Sequence, residues 1–196
     1  MIQGSKHSGR TAVTPQEVLD FWFAPEHRKR WFQSTDEFDA EIRRRFERTT
    51  VILADEMATT GIDWRAIPQT HLAEIIVLDQ FPRNMYRGRS KSLQWDGLAL
   101  ASAKQLVDSG GDMDIALDQR SFVYMPFMHA EDLVAQNRCV ELVGARSEDG
   151  STLRHAKAHR DLIERFGRFP HRNKVLGRKS TDEEQEFLAA GGYDPS

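Results

Sequence analysis

The chain has 196 residues, 39% of them hydrophobic, with 27 Lys+Arg against 30 Asp+Glu and a single cysteine. A chain of that size forms a core without a metal or disulfide, and one cysteine excludes both a disulfide framework and a cysteine-built zinc knuckle. A net charge of −3 argues against a generally basic nucleic-acid binder. No apolar run approaches the roughly 20 residues of a bilayer span, and no apolar signal core opens the chain, so a cytoplasmic protein with no membrane partner is expected.

Residues 1–13, rich in Gly, Ser, His and Lys and without periodicity, read as a disordered N-terminal tail, and 14–196 as a single domain. Thr14-Pro15-Gln16-Glu17 is a capping-box pattern with Pro at the first helical position; the helix carries Val18, Leu19, Phe21, Trp22 and Phe23, and Pro25 ends it. Ser34 and Glu37 repeat the signal before Phe38, Ile42, Phe46, Leu53 and Met57 at helical spacing, with Gly61 as a stop. Pro68 opens a third helix with Leu72, Ile75, Ile76 and Leu78 inward, which should end before Pro82. A fourth covers about 94–108, closed by Gly110-Gly111. The apolar stretch 122–127 is interrupted by Pro126 and reads as two helix pieces kinked there, the second running from about 129 to 143. Residues 151–166 form another helix, stopped by Gly167, and Ser180 with Glu183 is a third capping box, before a helix ended by Gly191-Gly192. No alternating strand pair or Asn-Gly turn occurs. The fold class is therefore all-α, with about seven or eight helices whose short connections favour antiparallel pairs.

Arginine outnumbers lysine 20 to 7, and residues 154–179 hold nine Lys/Arg, three His and only two acids. The rest of the chain has 18 basic and 28 acidic side chains. Arginine suits planar carboxylate or phosphate groups, which it grips through two parallel hydrogen bonds. Two segments within this pattern echo each other. Asp79-Gln80-Phe81-Pro82-Arg83-Asn84 follows one apolar helix, and Phe166-Gly167-Arg168-Phe169-Pro170-His171-Arg172-Asn173 follows another. In each, Phe-Pro should force an extended exit from a helix end, after which Arg-Asn is presented from rigid support. Two readings stand: an anion pocket, or helix-ending staples whose arginines pair with Asp79, Glu131 or Asp132.

Met125-Pro126-Phe127-Met128-His129-Ala130-Glu131-Asp132 is a third concentration of chemistry. His129 with Glu131 would serve as an oriented general base, although the same acids also suit a helix N-terminus. His155 and His159 share a helix face, but Arg154, Lys157 and Arg160 surround them with positive charge, so no metal is expected. No P-loop, nucleophile elbow or other cofactor signature is present. Cys139 and the four tryptophans read as packing residues, and Arg43 to Arg45 as a solvated helix face.

Asp20-Phe-Trp-Phe23, Asp79-Gln-Phe-Pro-Arg-Asn84, Tyr124-Met-Pro-Phe127 with His129-Ala-Glu131, His159-Arg160, the string from Phe166 to Asn173, and Leu176-Gly-Arg178 together resemble the bacterial family called domain of unknown function 924. The resemblance covers nearly the whole chain after the first dozen residues. It implies an all-α, tetratricopeptide-like arrangement curving around a concave face, and no activity. That family usually carries Ser after the histidine corresponding to His129; here position 130 is Ala.

The expected function is a site for a small anionic ligand, a carboxylate or phosphate, without a cofactor. Arg83, Arg168, Arg172 and Arg178 would be clamps, and His129, His159 and His171 proton donors or acceptors. Asp79 and Glu131 would orient them, and Asn84 and Asn173 would fix loops. The alternative is a tetratricopeptide-like scaffold for a protein or peptide, with these motifs structural. RNA binding through 154–179 is a third reading, unsupported by any nucleic-acid motif.

Overall fold

A computed structural model describes residues 13–57, 63–148 and 150–193. The expected tail therefore lies outside the described residues except for Val13, as does the stop expected at Gly61. Eight α-helices occur among the described residues: α1 (Pro15–Trp22), α2 (Asp36–Met57), α3 (Pro68–Met85), α4 (Asp96–Asp108), α5 (Leu117–His129), α6 (Leu133–Arg146), α7 (Gly150–Phe166) and α8 (Asp182–Ala189). Short 3-10 turns join several of them, including Pro170–Arg172. The fold is all-α, and none of its described helices is long and apolar enough to cross a membrane.

Consecutive helices from α2 to α7 each pack on the next, and α3 also takes α1 and α5. The centre of the packing is thus α3, and its sequence explains why. Every residue from His71 to Pro82 is buried, so this helix is enclosed all round rather than along one stripe. Phe81 joins Phe21, Trp22 and Phe46 in an aromatic cluster, with Trp31, Phe38 and Phe122 packed on its other members. An enclosed helix cannot leave polar side chains unsatisfied at low cost. Oε1 of Glu74 accepts from Ser102 (2.6 Å) and Arg65 (2.8 Å), although its buried Oε2 finds no partner among the described residues, and the imidazole of His71 meets Ser102 at 3.0 Å. Asp79 is the third buried ionisable group on this helix.

Five local expectations need correction. The helix α3 does not end before Pro82 but runs through it to Met85, and α5 likewise runs through Pro126 to His129. Each proline lies in the last turn, where it forfeits one backbone bond and few residues remain to be displaced. The break expected at Pro126 falls instead between His129 and Leu133, where Asp132 caps α6 by accepting from the backbone N–H groups of Val134 (3.2 Å) and Ala135 (3.3 Å). Of the two extended Phe-Pro exits, only the second exists: Phe169 is extended, while Phe81 stays helical inside the aromatic cluster.

The other two corrections are one-residue shifts of caps. Thr35 rather than Ser34 accepts at the start of α2, from the Phe38 N–H at 3.3 Å. Thr181 with Glu184, rather than Ser180 with Glu183, forms the capping box of α8. The box at Thr14 and Glu17 is as the sequence predicts. So is Gly167, whose φ of +69° ends α7 in the left-handed region that glycine enters without strain.

Candidate functional site

The four-residue spacing of Asp79 and Arg83 puts both on one face of α3, and the guanidinium folds back along it. It donates to the Asp79 carbonyl at 2.6 Å and reaches the carboxylate at 3.1 Å. The first residue of α4, Asp96, then receives Arg83 through two parallel hydrogen bonds of 3.0 Å. From the end of α5, His129 directs Nδ1 at the Asp79 carboxylate, 2.9 Å away. The amide of Gln80 donates to the other carboxylate oxygen at 2.5 Å.

The basic segment closes over this pair from the C-terminal side. Arg172 donates to the carbonyl of His129 at 3.0 Å, and its guanidinium lies 4.4 Å over the ring of Phe169. Its nearest acidic contact is Asp96, at 3.9 Å. On α7, His159 donates from Nδ1 to the His155 carbonyl at 2.8 Å; its ring stands edge-on to Phe169 at 5.5 Å and 6.4 Å from that of His129. The two Phe-Pro segments therefore meet, with Arg83 and Arg172 both approaching Oδ2 of Asp96, at 3.0 and 3.9 Å.

The charges are unequally satisfied. Burial by itself would raise the Asp79 carboxyl, but Arg83 and His129 outweigh it and hold it below the usual carboxylate range. Burial and then the adjacent Arg83 lower the imidazole of His129 despite Asp79. Burial likewise takes His159 down to about 3, with His129 and Arg172 adding to the effect. Both rings are neutral at physiological pH. Arg172 is lowered to about 10, first by burial and then by Arg83, with Asp96 and Glu131 compensating only in part. The side chains at the centre are not all sealed: Asp79 is 1% exposed, His129 16%, Arg83 20% and Arg172 11%.

The remaining predicted residues form locks around this centre. Asn84 donates to Asp39 (2.7 Å) and Ser34 (3.1 Å), tying the end of α3 to the start of α2. Arg178 grips Glu131 at 2.6 and 2.9 Å, donates to the side chain of Asn173 at 2.9 Å, and bonds the Phe169 carbonyl. Glu131 also accepts the Phe169 N–H, so its carboxylate positions the 169–172 segment while Asp79 holds His129. Arg168 is taken up by Glu184 at 2.6 and 2.7 Å, and Asn173 donates to Glu184 as well. His171 lies 5.5 Å from the Phe169 ring, half-buried. Arg168 also lines a shallow surface hollow of about 410 Å³ with Arg165, Phe166, Thr181, Glu183 and Glu184, which none of Asp79, Arg83, His129 and Arg172 lines.

Asp96 is the central residue that the sequence does not single out. An acid in the first turn of a helix is ordinary, and nothing local distinguishes this one. The only available hint is the surplus of arginines over nearby acids in the two motifs.

No curated protein matches the chain significantly. A solved structure of a protein of unknown function from Agrobacterium tumefaciens is similar to it, 37% identical, with a TM-score of 0.83, covering 90% of this chain and 97% of that one. The family model of a bacterial protein of unknown function, DUF924, matches residues 18–192, and the chain belongs to that family.

Proposed function

We propose that the cluster of Asp79, Arg83, His129, His159 and Arg172 is a binding site for a small anion, a carboxylate or a phosphate. The observation that carries this reading is the contrast between the two arginines. Arg83 is neutralised by Asp79 and bidentately by Asp96, whereas Arg172, nearly buried, has among the described residues a single hydrogen bond, to a carbonyl, and only a 3.9 Å contact with Asp96. A buried guanidinium is normally paired, and one that is not has donors left for an oxyanion. Stacking on Phe169 fixes its plane without consuming those donors.

The pairing of Asp79 with His129 supports a proton-transfer role on the bound molecule. The carboxylate fixes the ring with Nδ1 protonated and stabilises an imidazolium if Nε2 takes a proton. The cluster holds no serine, threonine or cysteine, and Asp79 is taken up by Arg83, His129 and Gln80, so acid–base chemistry is the reaction type the residues favour. The scaffold alternative has less behind it: exposed apolar side chains such as Phe32 and Val134 are ordinary on a protein surface when scattered.

The test is a thermal-shift titration with inorganic phosphate, sulfate, acetate and citrate against the native protein and Arg172→Met. An anion held at about 100 times its dissociation constant adds roughly 2.7 kcal/mol. The proposal expects a shift in the native protein that Arg172→Met loses. Equal shifts in both proteins, or none in either, overturn it.

A further inference from the structure

Resting on the anion-site reading, the hydrogen-bond inventory narrows the ligand. The carboxylate of Asp79 has no proton to give, so the Nδ1 of His129 beside it must be the donor. A backbone carbonyl has none either, so the Nδ1 of His159 is a donor too. Both rings are neutral, which leaves each Nε2 a bare acceptor. Among the described residues, no hydrogen bond reaches either Nε2. Two imidazole acceptors with ring centres 6.4 Å apart thus share the cluster with Arg172, which donates to the backbone carbonyl of His129 and whose remaining groups only donate.

An anion that is purely an acceptor satisfies half of this arrangement. Its oxygens bond the guanidinium, but they offer the imidazole nitrogens nothing to accept and repel their lone pairs. A second cation in the ligand is disfavoured by Arg83 and Arg172. A neutral O–H group beside the negative charge satisfies both halves. We infer that the site recognises a short anion that also carries a hydroxyl donor, with the negative end on Arg172 and the O–H on the Nε2 of His129 or His159. The hydroxyl can belong to the carbon skeleton, as in a hydroxycarboxylate, or to the oxyanion itself, as in hydrogen phosphate.

Matched pairs of probes test this by calorimetry on the full chain. Glycolate and propionate are near-isosteres that differ in the O–H, and hydrogen phosphate and sulfate differ in the same way. A site built around a buried polar contact rejects the analogue lacking it, so glycolate should bind about tenfold or more tighter than propionate, and phosphate about tenfold or more tighter than sulfate. The preference should collapse in His129→Phe or His159→Phe, whichever ring receives the hydroxyl. If either variant fails to fold, the two native-protein ratios still decide. Ratios near one, with binding lost in Arg172→Met, overturn the hydroxyl inference and leave the anion site standing. Absence of binding by all four probes overturns both.

Discussion

Arg83 grips Asp96 with two parallel hydrogen bonds of 3.0 Å, the strongest geometry a guanidinium offers a carboxylate. Arg172 stands off from the same carboxylate, 3.9 Å from the Oδ2 that Arg83 binds. Removing one partner of a buried ion pair costs about 3–5 kcal/mol, because the other charge is stranded. Arg83→Met takes the bidentate partner from Asp96 and leaves Asp79 only the neutral donors His129 and Gln80, and should cost that much. Arg172→Met strands no fully dependent carboxylate and keeps an apolar stem against Phe169. Its stability should lie within about 1 kcal/mol of the native protein, on either side. Urea denaturation of the two variants measures the difference. Equal, large losses would make Arg172 a structural staple.

The depressed pKa of His159 makes stability depend on acidity. Its folded value is about 3 against an unfolded 6.5, with burial the largest cause. The unfolded chain binds this proton first, so the stabilisation from a neutral His159 is complete above about pH 6.5 and drains away as pH falls toward 3. Stability measured over that window should fall less steeply in His159→Gln than in the native protein. An unchanged slope would mean that His159 already carries a proton in the fold.

Glu184 is the corresponding linchpin at the C-terminal end. Hydrogen bonds from Arg168 are the largest cause of its depression to about 2, with Thr181 and Asn173 contributing. A carboxylate lowered from 4.5 to about 2 contributes stability that is present above pH 4.5 and lost as pH falls through 2. Its loss should be felt locally, because α8 packs on a small apolar cluster of Leu162, Ile163 and Phe169, with Phe166, Phe187 and Tyr193 around it, apart from the main core. Hydrogen exchange of Glu184→Gln should show protection falling across 182–189 while α3 stays protected. Uniform loss through both helices would place Glu184 in the global unfolding unit.

Most of the helices are legible from periodicity and from caps, because Thr14 with Glu17 and Gly167 act locally. The two interior prolines are not, since burial of Phe81 and Phe127 outweighs the local bias against continuing a helix. The one-residue shifts at Thr35 and Thr181 arise because two adjacent hydroxyl residues give the same signal. Within the candidate site, the spacing of Asp79 and Arg83 already implies a shared face. The partnership of Asp79 with His129 is a tertiary contact across 50 residues, and so is the role of Asp96. Neither leaves a local trace, so the sequence offers both Asp79 and the nearer Glu131 as acids to orient the histidines, and the structure gives His129 to Asp79.

The most direct measurement is a long-range ¹H–¹⁵N spectrum of the imidazoles, recorded at neutral pH with and without inorganic phosphate. The Asp79 contact predicts that His129 is neutral with its proton on Nδ1, and the anion site predicts that the Nε2 resonance of His129 or His159 moves on saturation with phosphate, in step with the Nε–H of Arg172. A His129 proton on Nε2 in the free protein, or Nε2 signals of both His129 and His159 that ignore phosphate while Arg172 is intact, would contradict an anion site at this cluster.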